Sequence, residues 1–494
     1  MEQLEAKILL KNLLQRVEVL EDGTKRIAGR LTDDELTALN MALDMISGHT
    51  GSTPNSQPVT PISSVPTSPE IPPIPDFTAP HAEESIIDDT QKAVLSQEST
   101  LPKIDIDTSA LSLSPAPKDA RLCLDFGTAM SKATLVMEDE DNELEDIVVL
   151  ELGVPGDQEE ISEHMLISSV YISDDGLIWF GKKAEDYARL EGESGARQRM
   201  DNIKRWLSEG NLDTAVSKMH NPTNIAITYA DVILAYITFL TWAVDKALEN
   251  VDSPPGGYPR NLTRRFAMPC LPRAEAREVS RRLRQYIGEA QVLADSFFST
   301  LRDGIPLEQF LSAVEDLRKT PHEYSFVAED ITEPLGVAGS LLGWHAKVDM
   351  LVMVVDVGAG TSDFSLYRIN VNSETGTNTA LDIEGSSRGV TEAGNHLDNL
   401  LKGVVLREIG VDHTHPLWTN ILWEIEQNIR DYKETLFNEG SVVIVLRNGE
   451  YEVEISKDEF LAIDSVKKFG DTLRNTMQEI LESVDKSWID WVAV

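Results

Sequence analysis

Cysteine and basic residues are scarce in this chain of 494 residues, and each shortage excludes a class of protein. Only two cysteines, Cys123 and Cys270, are present, and they lie far apart in the sequence, so they form no disulfide framework or metal-ligand spacing. The nine histidines form no HxxxH pair beside acidic ligands. This composition predicts a protein of a reducing, cytoplasmic compartment.

Basic residues number 44 against 83 acidic ones, which leaves a formal net charge of −39. A surface of that charge repels phosphate backbones, so we expect no nucleic acid among the partners. If the chain binds a polyphosphate, a divalent cation must accompany it to offset the negative charge.

Long uninterrupted apolar runs are also missing. The N-terminus opens Met1-Glu2-Gln3-Leu4-Glu5, without the cationic and apolar regions of a signal peptide. The most apolar stretch, 225–244, contains Asp231 and three threonines and has helical periodicity. It therefore predicts a buried helix rather than a membrane span, and we expect no membrane partner.

The first 118 residues divide into two segments of different composition. Apolar residues recur at helical spacing in 4–14 and 31–46, so we predict that 1–48 is helical. This segment is either a small helical hairpin without a partner or a partner-docking element. Residues 49–118 hold 12 of the 23 prolines, among serines and threonines, which predicts a disordered linker because such a segment buries little apolar surface.

From residue 119 the pattern is typical of a mixed α/β protein. Apolar runs predict strands at 121–126, 168–172, 350–357, 441–446 and 488–494, with long amphipathic helices between them. One helix should begin after Thr228, which has Asp231 at the spacing of a capping box. A strand followed by an Asp-x-Gly turn occurs twice, near residues 125 and 356.

The first of these turns is Asp125-Phe126-Gly127-Thr128-Ala129. The preceding strand places a carboxylate at its tip, and Gly127 allows the backbone to pass close to a ligand. The N–H groups that follow can point at phosphate oxygens, although such a turn could also simply close a hairpin.

The second turn repeats the pattern over 356–363 as Asp-Val-Gly-Ala-Gly-Thr-Ser-Asp, after the apolar run 351–354. Two such hairpins facing each other across a cleft can clamp a pair of phosphates between their backbone amides. Asp125 and Asp356 would then hold a hydrated Mg²⁺, because carboxylates repel phosphate directly.

These two turns resemble the phosphate loops of the actin, sugar-kinase and seventy-kilodalton heat-shock superfamily. Further segments are similar, in the same order, to the nucleotide-binding domain of the DnaK-like heat-shock branch: 176–184, 202–207, 266–269, 331–338, 394–398 and 455–460. The resemblance covers almost all of 119–494. It implies an α/β fold of two ribonuclease H-like lobes around a cleft, lobe I at 119–350 and lobe II at 351–494.

The resemblance also implies catalytic roles. Lys204 stands at the position of the catalytic lysine, and Glu333 at that of a carboxylate that positions water. Asp125, Asp356 and Thr361 complete this set. Lys204 and Glu333 each have an ordinary alternative. Lys204 could be a solvated lysine, and Glu333 could be a loop charge or the start of a helix.

Further residues take binding and switching roles by the same resemblance. Pro269 and Arg277 correspond to residues that relay the nucleotide state, although Pro269 could simply end a strand. Asp363 is a candidate ligand of a monovalent cation. The implied nucleotide contacts are Gly127, Thr128, Ala129, Gly358, Ala359, Gly360, Thr361, Gly394, Asn395 and Lys433.

Two features depart from the family pattern. In 430–437, Lys433, Thr435 and Leu436 match the helix that clamps adenine, but Arg430, Glu434 and Phe437 do not, so the sequence supports adenine specificity less than phosphate binding. The chain ends at Val494, within an expected core strand and before the family's Gly-Gly-Ser adenosine loop. We therefore expect a C-terminally incomplete lobe II.

The resemblance implies binding of ATP or ADP with Mg²⁺, and slow ATP hydrolysis as the conformational switch of a chaperone-like protein. Protein partners or clients would bind through the N-terminal helices or a region beyond Val494. The first alternative is an actin-like filament protein, against which Lys204 and the Pro269–Arg277 pair argue. The second is a degenerate, non-hydrolysing ATPase domain that acts as an interaction module. No sugar-binding signature favours a sugar kinase.

Overall fold

The computed structural model describes residues 17–19, 25–27, 103–138, 145–191, 197–209, 212–254, 256–271, 273–340, 348–372 and 377–484. The chain divides into two units, Met1–Pro73 and Ile74–Val494. The described part is a mixed α/β structure with several sheets. None of its helices is both long enough and apolar enough to cross a membrane.

In the first unit the described residues form two short strands, β1 Val17–Val19 and β2 Lys25–Ile27. They pair antiparallel, with Val17 opposite Ile27, so the prediction of a helical 1–48 is wrong at these strands. The intervening sequence contains Asp22-Gly23, a strong hairpin signal, and β-branched residues flank it. The predicted helical runs 4–14 and 31–46 lie outside the described residues.

The second unit contains an ordered arm, residues 103–118, that packs against neighbouring helices. It includes a 3₁₀ helix, Ser109–Ser112, in which Ala110 is buried, and the amide of Asp107 donates to Ser296 Oγ at 2.9 Å. The prediction of a disordered linker over 49–118 is therefore wrong for the arm, because its apolar residues are partly buried against the core. Residues 49–102 lie outside the described residues.

The next elements form a six-stranded sheet with its covering helices and a separate three-stranded sheet, which joins Ile305–Pro306, Leu177–Phe180 and Val170–Ile172 in that order. In chain order these elements are β3 Ala120–Asp125, β4 Met130–Glu138, β5 Glu145–Val149, β6 Leu166–Ile167, β7 Val170–Ile172, β8 Leu177–Phe180, α1 Gly181–Glu191, α2 Arg205–Glu209, α3 Tyr229–Leu248, β9 Thr263–Met268, α4 Arg273–Ser296, β10 Ile305–Pro306, α5 Leu307–Arg318, β11 Val327–Thr332 and α6 Glu333–Ser340. The larger sheet has the order β11-β9-β3-β4-β5, with β6 paired to β4. Strand β3 runs antiparallel to β4 and parallel to β9, and β9 runs parallel to β11.

Helix α3 forms as the sequence predicts. The Thr228 amide donates to Asp231 Oδ2 at 3.0 Å, and the Asp231 amide donates to Thr228 Oγ1 at 3.2 Å, so the capping box is confirmed. Most side chains of α3 are buried on all its faces, as expected of a helix inside the core of a large protein. The prediction of a buried helix in 225–244 is therefore confirmed.

A cluster of charged and polar side chains is buried between the six-stranded sheet and its helices. Arg264 on β9 is 1 % exposed, lies 3.8 Å from the Asp245 carboxylate and donates to Gln291. Gln291 in turn donates to Asp245 at 2.9 Å. Burial raises the pKa of Asp245 to about 6, against the opposing pull of Arg264 and Gln291.

We expect Asp245→Asn to flatten the pH dependence of the free energy of unfolding. The pKa of Asp245 in the folded protein is about 6, against an ordinary value of 3.8. The stability that protonated Asp245 contributes to the fold is therefore fully present below the unfolded pKa and is lost as pH rises through the folded pKa. A shift of about two pH units corresponds to roughly 3 kcal/mol. Urea unfolding at several pH values between the unfolded and the folded pKa of Asp245 measures the change in the free energy of unfolding.

The control is Asp349→Asn, which removes a surface carboxylate paired with Arg368 at 2.8 Å. The hydrogen bond from Arg368 lowers the pKa of Asp349 and outweighs the small opposing effect of burial, so its shift has the opposite sign to that of Asp245. If Asp245→Asn and the parent protein show the same pH profile, Asp245 does not titrate as its burial requires.

The remaining elements build a second sheet and a separate hairpin. In chain order they are β12 Val348–Val357, β13 Ser362–Asn372, β14 Thr377–Asp382, β15 Arg388–Val390, α7 Gly394–Glu408, α8 Trp418–Glu439, β16 Ser441–Leu446, β17 Tyr451–Ser456, α9 Lys457–Ala462 and α10 Asp464–Ser483. Strands β12, β13 and β14 form an antiparallel meander, β15 adds to β13, and β16 pairs with β17. The predicted strands at 350–357 and 441–446 are confirmed, and 488–494 lies outside the described residues.

The two larger sheets begin in the same way. Strand β3 ends at Asp125 and turns into β4, and β12 passes Asp356 and turns into β13. Both connections are antiparallel hairpins. The two Asp-x-Gly turns therefore occupy equivalent corners of the two sheets.

Candidate phosphate-binding site

The two Asp-x-Gly turns lie against each other. We call residues 125–130 the first turn and 356–362 the second turn. A Cβ atom on Gly360 would lie 2.8 Å from both Oγ1 and Cγ2 of Thr128, so only glycine fits where the turns meet. In the first turn, a Cβ on Gly127 would overlap the Met130 carbonyl oxygen. Both turns therefore depend on glycine for close packing.

Lys204 and Glu333 form an ion pair beside the turns. Lys204 is 5 % exposed, its Nζ donates to Glu333 Oε1, and it lies 6.0 Å from the centre of the Phe126 ring. Burial alone lowers the pKa of Lys204, but the negative charges of Glu333, Asp125 and Asp363 outweigh it, so the pKa lies above its ordinary value. Lys204 is thus a buried cation among carboxylates, and its interpretation as a solvated lysine is wrong.

Asp125 and Asp356 lie within each other's electrostatic influence. Burial raises the pKa of Asp356, and the charges of Glu333 and Asp125 raise it further, whereas Lys132 and Lys204 lower it. Asp125 itself lies 3.5 Å from Lys132. The negative charges of Asp125, Asp356 and Glu333 therefore attract a cation to this site.

The donor set suits a hydrated magnesium ion. No three His, Cys, Asp or Glu side chains among the described residues come together as metal ligands, so a metal enclosed by protein ligands has no site there. Asp125 and Asp356 are hard oxygen ligands, and Mg²⁺ commonly keeps several waters while it contacts one or two carboxylates and substrate phosphates. The two aspartates therefore fit an ion that keeps several of its waters.

Asp363 joins the second turn to the end of β9. Thr361 Oγ1 donates to its Oδ2 at 2.8 Å, and the backbone amide of Cys270 donates to its Oδ1 at 2.7 Å. Burial raises the pKa of Asp363 to about 6, although these hydrogen bonds oppose the shift. Pro269, which precedes Cys270, directly follows the last residue of β9, so its interpretation as a strand terminator also fits.

The contact between Cys270 and β15 leads to a stability prediction. A Cβ on Gly389 would overlap the Cys270 carbonyl oxygen, so Gly389→Ala should push the end of β9 away from Asp363. We expect a loss of about 2 kcal/mol or more in the free energy of unfolding, measured by urea denaturation.

Gly470→Ala is the matched control, since nothing lies within 4 Å of a Cβ at that helical position. It should leave stability unchanged or raise it by up to about 1 kcal/mol through helix propensity. Equal stability of Gly389→Ala and the parent would show that Cys270 is not held against β15.

The beginning of α7 holds the second turn from its other side. The amide of Gly394 donates to the Gly358 carbonyl at 3.0 Å, and that of Asn395 donates to the Ala359 carbonyl at 2.8 Å. Lys433 on α8 donates to the Gly394 carbonyl at 3.3 Å. These hydrogen bonds turn the carbonyls of the second turn toward α7, so the N–H groups of the same peptide units face the opposite way.

The predicted pair Pro269 and Arg277 is not brought together by a polar contact. Arg277 is exposed on α4, and no hydrogen bond or ion pair of its side chain occurs within the described parts of the chain. With Arg281 and Arg284 it lines a surface depression of about 320 Å³. The predicted relay between the two residues has no direct polar link in this structure.

Three side chains around the turns have no role predicted from the sequence: Lys132, Phe126 and Asp398. Lys132 faces Asp125 because the hairpin register places it there, and Phe126 lies below Lys204. Asp398 pairs with Lys433 at 2.7 Å. The length of the first turn sets the register of the β3–β4 hairpin, and this register would have predicted that Lys132 lies opposite Asp125. No local signal in the sequence distinguishes Asp398 from a surface carboxylate.

Helix α8 also contacts the segment that precedes Lys204. Arg430, which departs from the family pattern, donates to Asn202 Oδ1 at 3.3 Å. Two neighbouring contacts join Gln198 to Glu426 and Arg199 to Gln427, each at 3.1 Å. The departure at Arg430 therefore has a partner within the same chain.

No protein-family model matches this chain, and no curated protein matches it at a significant level. Function is therefore inferred from the geometry of the two turns and the side chains around them.

Proposed function

We propose that this chain binds Mg-ATP between the two turns and hydrolyses it slowly as a conformational switch, as in the DnaK-like proteins that it resembles. The observation that carries the proposal is the contact of Gly360 with Thr128, because it brings two Asp-x-Gly turns to one point. A pair of phosphate-binding turns at one point can hold the β- and γ-phosphates together.

Strand order supports the two-lobed fold in this proposal. Taken in chain order as strands one to five, β3, β4, β5, β9 and β11 lie in the sheet as 3-2-1-4-5, and strand two is antiparallel to the others. This is the order of a ribonuclease H-like lobe. The meander β12-β13-β14 repeats its first three strands, which supports lobe I at 119–350 and lobe II from 351 onward.

The charges around the turns support a requirement for a divalent cation. The carboxylates of Asp125, Asp356, Asp363 and Glu333 outnumber Lys204 and Lys132, so the site without a metal repels a polyphosphate. When bound, Mg²⁺ would reduce this repulsion and neutralise charge on the phosphates. Asp125 and Asp356 would hold it through water.

Each remaining residue then has a role in the reaction. Lys204 would orient the attacking water and offset the negative charge on the transferred phosphate, and Glu333 would position that water. The hydroxyl of Thr128 would donate to a phosphate oxygen. The hydroxyl of Thr361, which donates to Asp363 in this structure, would turn from Asp363 to a phosphate oxygen when the nucleotide binds. Lys204 is suited to its role because it stays protonated despite burial.

Calorimetric titration with ATP in Mg²⁺ and in EDTA, followed by a phosphate-release assay, tests the proposal. We expect saturable binding at one site in Mg²⁺, weaker binding in EDTA, and slow release of phosphate. Absence of binding in Mg²⁺ would overturn the proposal. Binding without hydrolysis would favour the non-hydrolysing interaction module, and polymers that sediment only with ATP would favour the filament protein.

A further inference from the structure

Three buried hydroxyl groups lie behind the first turn. They belong to Ser131 on β4, Ser168 between β6 and β7, and Tyr236 on α3, and each residue is at most 1 % exposed. Ser168 Oγ lies 3.0 Å from Ser131 Oγ and donates to the Gly127 carbonyl at 2.8 Å. Tyr236 Oη lies 3.1 Å from Ser131 Oγ and 3.2 Å from Ser168 Oγ.

The number of hydroxyl protons sets the direction of these hydrogen bonds. Ser168 has a single hydroxyl proton, which is used at Gly127, so Ser131 must donate to Ser168. Tyr236 then donates to Ser131 or to Ser168, the two nearer of its three acceptors, since the Leu166 carbonyl lies farther away at 3.4 Å. Burial raises the pKa of Tyr236 to about 12, so its hydroxyl keeps the proton that it donates. The result is a one-way chain of hydrogen bonds that ends on the first turn.

This chain orients a peptide unit of the first turn. The C=O and N–H of one trans peptide point in opposite directions, and no described peptide bond is cis. With the Gly127 carbonyl directed at Ser168, the Thr128 N–H points away from the buried hydroxyls. The amide of Ser168 also donates to the Ala129 carbonyl at 2.9 Å, so one residue holds the turn on both sides of Thr128.

We propose that Ser168 is a positioning residue that presents the Thr128 amide to a phosphate oxygen, and that Ser131 and Tyr236 hold Ser168 in place. This inference rests on the proposed function and adds to it the orientation of a backbone donor. A donor held in place before the ligand binds loses no orientational freedom on binding, which is what makes such donors effective. The ligand class is the polyphosphate part of the nucleotide.

The test measures binding of Mg-ATP by calorimetry to the parent protein and to variants. Ser168→Ala should weaken Mg-ATP about tenfold, which is about 1.4 kcal/mol. Tyr236→Phe should weaken it by about threefold, because only the support of Ser168 is lost. In the Ser168→Ala background, Tyr236→Phe should have no further effect, because the hydroxyl through which it acts is already absent.

Tyr171→Phe is the matched control. Tyr171 is as buried as Tyr236, but its hydroxyl donates to Glu191 at 2.9 Å rather than toward the first turn. If Tyr236 only stabilises the fold, Tyr171→Phe and Tyr236→Phe should weaken the binding of Mg-ATP equally, or Tyr236→Phe should add its full effect to that of Ser168→Ala. Either result would overturn the inference.

The outcomes also separate this inference from the proposed function. If the parent binds Mg-ATP and the folded Ser168→Ala variant binds it equally well, the positioning role is wrong and the proposed function stands. If the parent does not bind Mg-ATP, both are overturned. Should Ser168→Ala fail to fold, Tyr236→Phe against Tyr171→Phe decides the question, since both keep the ring and lose only a hydroxyl.

Discussion

Replacing Lys204 by methionine should lower the rate of ATP hydrolysis by about three orders of magnitude. Three decades correspond to about 4 kcal/mol of transition-state stabilisation, a plausible loss for a buried cation at a phosphoryl group. The lysine donates to Glu333 and its pKa is raised, so the parent protein carries a positive charge where the proposed reaction would develop negative charge. Methionine keeps much of the side-chain volume and removes only this charge.

The same substitution should also affect the fold. Without Lys204, Glu333 remains largely buried beside other carboxylates with no positive partner, and leaving one member of a buried pair alone costs about 3–5 kcal/mol. Lys204 lowers the pKa of both Asp356 and Asp363, so both carboxyls should take up protons more readily in the variant. Stability lost in Lys204→Met should therefore recover partly at lower pH.

Phosphate release under single-turnover conditions and urea unfolding measure the two effects. Lys246→Met is the matched control, because Lys246 also pairs with a glutamate, Glu249 at 3.1 Å, and lies 4.1 Å from the ring centre of Phe298. It is partly exposed on α3 and should change neither quantity much. A Lys204→Met protein that hydrolyses ATP at the parental rate would remove Lys204 from the reaction.

Replacing Asp356 by asparagine should lower hydrolysis by two or more orders of magnitude, on the order of 3 kcal/mol. The side chain is half-buried at the tip of β12, and its raised pKa shows that the site already disfavours another negative charge. Asparagine keeps the shape and removes the charge that would hold a hydrated Mg²⁺. It also relieves repulsion with Glu333 and Asp125, so the fold should be as stable as the parent or slightly more so.

Asp349→Asn on the same strand is the control for this variant, because its carboxylate pairs with Arg368 on the surface instead. Asp349→Asn should hydrolyse ATP at the parental rate, whereas the rate of Asp356→Asn should fall by about two or more orders of magnitude. Raising the Mg²⁺ concentration should restore part of the Asp356→Asn rate if the loss reflects weaker holding of the ion. Undiminished hydrolysis in Asp356→Asn would exclude Asp356 from the site.

Most features that were predicted correctly depend on neighbours close in sequence. The capping box of α3 needs only Thr228 and Asp231, and the strand 441–446 needs only its own apolar pattern. The two Asp-x-Gly turns are local motifs as well. The repeated motif predicted that the two turns face each other, whereas their contact at Thr128 and Gly360 comes from the structure, and the ATP-binding role stays a prediction.

The sequence by itself determined the mixed α/β class, the acidic charge, the principal strands and the two turns, because each depends on composition or on short spacing. Only the tertiary structure decided that residues 103–118 are ordered, that Lys204 is buried and that Cys270 donates to Asp363. It also placed Ser131, Ser168 and Tyr236 in one hydrogen-bonded chain. These features depend on which surfaces pack together, and neither the burial of a side chain nor a partner many residues away leaves a periodic mark on the sequence near it.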